Sequence, residues 1–277
     1  MNPLDKAIWY IESHFAADLT LDAIAAVAGA SRFHLTRAFG YATGLSVMRY
    51  VRGRRLSEAA RALAGGAPDI LALALEAGYG SHEAFTRAFR ELFGTTPESV
   101  RACASLHDLD LLEPIRMDQQ ALASLAAPRF ETRGPLLIAG LTQRYDVITS
   151  AAIPSQWQRF GAWIGQVPGQ RGRDAYGVIH NPDAEGNMEY LCGVEVAHGS
   201  RVPAELTCIT LPVQHYAVFS HAGHVAEIRR TMHTIWNHWL PQSGRQAVDA
   251  ATLEHYGERF DPATGQGGFE IWLPVGE

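Results

Sequence analysis

In the segment TLEHYG, Glu254 and Tyr256 stand two residues apart, and strand alternation puts them on one face with Leu253 and His255 on the other. A carboxylate beside an aromatic ring is a receptor for a cation. The charge pairs with the acid, and the ring supplies apolar contact and a cation–π term. A second chemistry lies in arginines: GASRFHLTRAFGYATGLS, from Gly29, is repeated almost residue for residue by GYGSHEAFTRAFRELFGTTP, from Gly78.

Aligned on Ser31 and Ser81, the two segments share an alanine four residues before a glycine (Ala25, Ala74), then Arg37 and Arg87, Phe39 and Phe89, Gly44 and Gly94. In the second copy Phe85, Ala88, Phe89, Leu92 and Phe93 follow a helical rhythm that predicts one buried stripe. Glu83, Thr86, Arg87 and Arg90 are left on the opposite face. The first copy buries Leu35, Ala38 and Phe39 on the same reasoning and turns Arg32, Phe33, Thr36 and Arg37 outward. A short helix, a glycine turn and a second helix with an arginine-bearing outer face is a helix-turn-helix layout.

The elements that must position these residues change character along the chain. The first hundred or so residues read as helices: PLDKAIWYIESHF, TLDAIAAVAG with Gly29 as its stop, RFHLTRAFGYAT capped by Ser31, PDILALALEAG, SHEAFTRAFRELFG and PESVRAC. A long helix from about Ser46 to Ala64 joins the two copies. At ~1.5 Å per residue it spans about 28 Å, roughly the ~34 Å between successive major grooves on one DNA face. From Arg129 onward strand-type segments dominate, interrupted by SAAIPSQWQRFGAWIGQV and HVAEIRRTMHTIWNHWL, which predicts an α+β domain of two similar halves. The expected organisation is residues 1–107, a linker at 108–128 with partial helical character, and residues 129–277.

Composition narrows the classes. With 47% hydrophobic and 19% charged residues the chain is globular. No apolar run reaches the roughly 18 residues of a membrane span, MNPLDKAIWY lacks a signal-peptide layout, and the scattered Cys103, Cys192 and Cys208 suit a reducing compartment. A cytoplasmic protein with no membrane partner is expected. The net charge of −6 is uneven: residues 1–107 carry 11 Lys/Arg against 10 Asp/Glu, and residues 108–277 carry 12 against 19. Only the first part can approach a polyanion. Arg49, Arg52, Arg54, Arg55 and Arg61 cluster on the joining helix, where phosphate contact and simple solvation are both open.

No GxSxG, HExxH or phosphate-loop pattern occurs, and no cofactor is expected. His221, His224, His233 and His238 lack the acid or cysteine spacing of a metal site, so no metal is expected either. GQGG at 265–268 lies between two strands and reads as a turn.

Residues 1–105 resemble the AraC/XylS-type DNA-binding domain, most closely in ALEAGYGSHEAFTRAFRELFGTTPESVR and RRLSEAARAL. The resemblance implies base reading by Arg32, Phe33, Thr36 and Arg37 in the first recognition helix, and by His82, Glu83, Ala84 and Arg87 in the second, with Arg90 on the same exposed face. Arginine can grip guanine and glutamate can accept from cytosine. Glu83 and Arg87, four apart, could instead pair with each other.

Residues 129–277 resemble the GyrI-like effector-binding domain in AYGVIHNPD, LPVQHYAVFSHAG, IRRTMHTIWNHWLPQSG and LEHYGERFDPATGQGGFEIWLPV. That resemblance implies a doubled βαββ fold with a cleft for small lipophilic or cationic ligands, a pocket acid at Glu254, and pocket positions at Trp157 and Tyr176 beside Tyr256. Glu254 also fits a solvated strand position and Trp157 a plain core position, and Glu270 fits a surface role better than that of a second pocket acid.

The whole predicts a multidomain protein: an all-α tandem helix-turn-helix domain followed by a GyrI-like α+β domain of two βαββ repeats. Its expected role is that of a non-enzymatic transcription regulator, with promoter DNA, a small-molecule effector and RNA polymerase as partners. The alternative is a hydrolase of a reactive small molecule, with Glu254 as general base helped by Tyr176 or Tyr256. A sequence-indifferent architectural protein fits poorly with so nearly neutral a DNA domain.

Overall fold

The N-terminal helices start where a side chain can satisfy their free amides. In the computed structural model, which describes residues 2–115, 122–146, 149–183 and 185–276, α1 (Pro3–His14), α2 (Leu21–Ala28), α4 (Val47–Ala64), α5 (Ile70–Glu76), α6 (His82–Phe93) and α7 (Pro97–Cys103) open on Asn2, Thr20, Ser46, Asp69, Ser81 and Thr96. Each capping oxygen accepts a backbone N–H, a bond of ~1 kcal/mol. Between α2 and α4 lies α3 (Arg32–Thr43). Gly29 and Gly94, at φ 69° and 70°, end α2 and α6 in the left-handed conformation that glycine adopts without strain.

The chain forms two compact units, Met1–Arg32 with Leu45–Asp118 and Phe33–Gly44 with Gln119–Glu277. In the first, Leu56, Ala60 and Leu63 of α4 pack with Ile70, Ala74, Phe85, Phe89 and Val100. Phe85 and Phe89 are fully buried, each worth about 1.5–3 kcal/mol. Leu92, expected in this stripe, is 41% exposed; it stands in the last turn of α6, two residues before the Gly94 cap.

Three arginines tie the joining helix to its own unit, which corrects, for those three, the expectation of phosphate contact or plain solvation. Arg54 is 3% exposed and donates to Glu12, Glu58 and the Leu112 carbonyl. Arg55 donates to the carbonyls of Phe15 and Ala17, and Arg61 pairs with Glu58 and Glu113. Their long stems reach carboxylates and carbonyls of the same unit, while Arg49 and Arg52 stay exposed. A β-carbon at Gly53 would meet Leu112 at 2.6 Å, so the glycine admits the segment that runs back along α4. Of the expected linker, residues 116–121 lie outside the described residues, and the described remainder forms no helix.

The second unit is built on an eight-stranded antiparallel sheet. Its strands are β1 (Arg129–Arg133), β2 (Leu136–Tyr145), β3 (Gln170–His180), β4 (Met188–Val196), β5 (Thr207–Leu211), β6 (Gln214–His221), β7 (Thr252–Tyr256) and β8 (Phe269–Pro274). The order is β1-β6-β8-β7-β3-β4-β2-β5. Inward from either edge the sequence of roles is the same: a first strand, the strand before a helix, then the second and first strands after it. The doubled βαββ plan is therefore present, with each half lending its first strand to the other and the halves meeting at β3 and β7.

Helix α8 (Ile153–Gly161) follows β2. The helical run after β6 comprises a short turn, α9 (Ile228–Thr234), a π-turn at Ile235–Trp239 and α10 (Leu240–Gln242). Both pack on the sheet face that carries Tyr190, Cys192, Phe219, Tyr256 and Ile271. The opposite face gathers Ile138, Tyr176, Val178, Leu253 and Trp272.

Candidate functional site

Glu254 sits mid-strand on β7, opposite Gly177 of β3 in the ladder, and is 6% exposed. Its Oε2 accepts hydrogen bonds from Tyr190 Oη at 2.5 Å and Tyr256 Oη at 2.9 Å. Trp157 on α8 donates its Nε1–H to Tyr190 Oη at 2.9 Å, and its ring meets Tyr256 edge-on at 5.1 Å. Tyr256 in turn stacks on Phe269 at 4.8 Å. Gln156 anchors α8 by donating to the carbonyls of Leu141 and Tyr190.

Electrostatics make this an unusual place for an acid. Among the described residues no basic side chain pairs with Glu254. Burial pushes its pKa above the ordinary carboxylate range, against the pull of its two tyrosine bonds. Tyr190 and Tyr256 are raised well above the usual phenol value, first by burial and then by the Glu254 charge. The arrangement is a carboxylate with oriented donors, ringed by aromatics and lacking a counter-ion, which favours a cation with apolar substituents.

The structure thus brings Glu254, Tyr256 and Trp157 together, and it separates Tyr176 from them. Tyr176 lies on the other sheet face, with its ring 5.1 Å from His255. The neighbouring residue on the Glu254 face is Gly177, whose missing β-carbon leaves room for Tyr190 Oη and Glu254 Oε2. Period-two alternation already separates positions 176 and 254 once the β3–β7 register is known, but a single sequence does not contain that register. Tyr190 was missed for the same reason, although MEYLCGVEV carries Met188, Tyr190 and Cys192 on one face. Glu270 is also away from the site: it binds Arg129 at 2.6 Å and lies near His255 and Trp272.

On the helix-turn-helix side, α6 presents Glu83, Arg87 and Arg90 to solvent, with His82 paired to Glu98 at 2.8 Å. No ion pair joins Glu83 to Arg87 among the described residues; Glu83 is lowered by its own backbone amide and by Ser81 at the helix start. Arg32 is exposed and lies 3.4 Å from Asp22.

Helix α3 departs from its expected orientation. Arg37 is 8% exposed and donates to Met188 Sδ at 3.4 Å, and Phe33 meets the Trp236 ring at 5.5 Å. Thr36 is half-buried. The physical reason is legible in hindsight: Phe33, Leu35, Ala38, Phe39 and Tyr41 leave α3 apolar on two sides, and such a helix is covered on both.

A helical DNA-binding-type region followed by an antiparallel-sheet domain with an aromatic-lined acid is a two-part, AraC-type and GyrI-like architecture. The chain belongs to the GyrI-like small molecule binding domain family, matched over residues 126–276, and it matches a helix-turn-helix domain over residues 24–102. Right origin-binding protein of Escherichia coli (strain K12) is 36% identical over 168 residues, 59% of this chain and 57% of that protein. Probable transcription factor PqrA of Proteus vulgaris is 40% identical over 90 residues, 32% of this chain and 74% of that protein. The solved structure of SAV2435 bound to tetraphenylphosphonium is similar at TM-score 0.46 and 23% identity, covering 55% of this chain and 94% of that one. The match to Right origin-binding protein therefore spans less than three fifths of that relative's length.

Proposed function

We propose that this protein is a sequence-specific transcription regulator whose GyrI-like domain binds a small lipophilic cation. The observation that carries the reading is the buried Glu254 carboxylate, held by two tyrosine hydroxyls and, among the described residues, given no cationic partner. Trp157, Tyr190 and Tyr256 supply the ring faces and edges, and Glu254 supplies the charge. Promoter DNA is read by Glu83, Arg87 and Arg90 on α6 and by the exposed Arg32 at the start of α3, with RNA polymerase as a further partner and the cytoplasm as the setting. The domain acts as a receptor and not as an enzyme: both hydroxyls nearest the acid donate to it and neither is poised as a nucleophile.

The test is calorimetric titration of the full chain with tetraphenylphosphonium and with neutral triphenylphosphine oxide, on wild type and Glu254→Gln. The expected result is a preference of at least tenfold for the cation in wild type, lost in the variant. Equal binding of cation and neutral compound by wild type would sink the electrostatic reading.

A further inference from the structure

From Phe33 onward helix α3 belongs to the same compact unit as the sheet domain, and the contacts that hold it are specific. A π-turn at Ile235–Trp239, closed by the Leu240 N–H on the Ile235 carbonyl, widens the helix by one residue where α3 meets it. The Trp236 carbonyl accepts from His34 Nε2 at 3.2 Å, and Asn237 Nδ2 donates to the Ala38 carbonyl at 3.1 Å. Phe33 packs on the Trp236 ring, and Ala38, Phe33 and Tyr41 join the apolar cluster that contains Tyr190, Tyr256 and Trp157. The Tyr41 hydroxyl feels both the Arg37 and the Glu254 charges. Met188, which receives Arg37, stands two residues before Tyr190 on the same strand face.

The docking is also incompletely satisfied. Arg37 Nε is buried without a hydrogen-bond partner, and a thioether is a weak acceptor for the Nη1 bond. A guanidinium left this way costs free energy that leaving the surface would recover.

We propose that α3, the first recognition helix, is held in reserve on the GyrI-like unit beside Glu254, so that an effector at Glu254 and docked α3 exclude one another. Binding of the cation expels α3 and makes Arg37 and Phe33 available to DNA; binding of DNA by α3 opens the site to the cation. The coupling is reciprocal by linkage. This inference rests on the reading of Glu254 as the cation receptor, and it adds the competitor.

Two variants of the full chain test it. Phe33→Asp puts a carboxylate against Trp236 while favouring the α3 N-terminus, and Asn237→Ala removes the bond to Ala38 without touching Glu254 or its tyrosines. Hydrogen exchange over residues 33–44 is expected to rise at least fivefold in both variants, and in wild type on adding tetraphenylphosphonium. Phe33→Asp is expected to bind that cation at least tenfold more tightly than wild type. Unchanged exchange in both variants overturns the docking. Raised exchange with no gain in cation affinity overturns the competition alone, and the Glu254 reading survives if Glu254→Gln still abolishes binding in the Phe33→Asp background. Cation binding to none of these proteins overturns both.

Discussion

Tyr190 Oη and Glu254 Oε2, contributed by β4 and β7, lie 2.5 Å apart although neither strand is hydrogen-bonded to the other. The strand between them is β3, whose residue opposite Glu254 is Gly177; Tyr190 itself pairs with Ile179, and its side chain leans along the strand to pass over the glycine. The bond crosses over a strand, which is possible only because no side chain stands there. A β-carbon at Gly177 would fall 2.5 Å from Glu254 Oε2 and closer still to Tyr190 Oη.

Gly177→Ala is therefore expected to part the tyrosine from the acid and to destabilise the fold by about 1–3 kcal/mol. The measurements are the thermal midpoint and cation affinity, and both should fall. A variant with wild-type midpoint and affinity would mean that the strand relaxes around the methyl group at no cost.

Tyr190→Phe removes the donor to Glu254 and the acceptor of the Trp157 indole N–H in one step. The buried acid keeps only Tyr256, and the half-buried indole loses its acceptor, a cost of about 1–3 kcal/mol. Denaturant titration should register the loss. Replacing Tyr176, on the opposite sheet face, should leave cation binding within twofold of wild type.

Glu254 supplies a pH dependence whose direction follows from burial. Because its pKa is raised in the folded state, the folded protein holds a proton that the unfolded chain has already released over the interval between the two values. Stability from this group therefore falls as pH rises through that interval and stays reduced above it. The thermal midpoint of wild type should drop relative to Glu254→Gln from about pH 4 upward. The surrounding Tyr190, Tyr256 and Tyr41 hydroxyls are themselves raised and stay protonated there. Within that interval cation binding, which requires the ionised acid, should release a proton, and its heat should vary with the ionisation enthalpy of the buffer.

The arginines divide into two kinds by what they touch. Arg54 is bound by Glu12, Glu58 and the Leu112 carbonyl, so Arg54→Leu should cost about 3–5 kcal/mol of stability and leave the salt slope of DNA binding unchanged. Arg87 is exposed on α6, so Arg87→Ala should leave stability intact and weaken binding to a selected duplex by ~1–3 kcal/mol. Melting curves and salt-dependent DNA titrations separate the two. An equal effect of both variants on DNA binding would return Arg54 to the phosphate contacts.

The sequence by itself determined which elements form and which residue types are available. Caps, glycine stops and the repeat around Ser31 and Ser81 marked the helices, and period-two alternation put Glu254 and Tyr256 on one face. These signals are local, set by one turn of helix or by neighbouring strand residues. Tertiary structure decided the rest: that Tyr190 reaches Glu254 across Gly177, that Tyr176 lies on the far face, that Arg54 is an internal tie, and that α3 turns Arg37 inward. Each of these depends on strand register or on which surface covers a second apolar side, and both are chosen by segments distant in sequence.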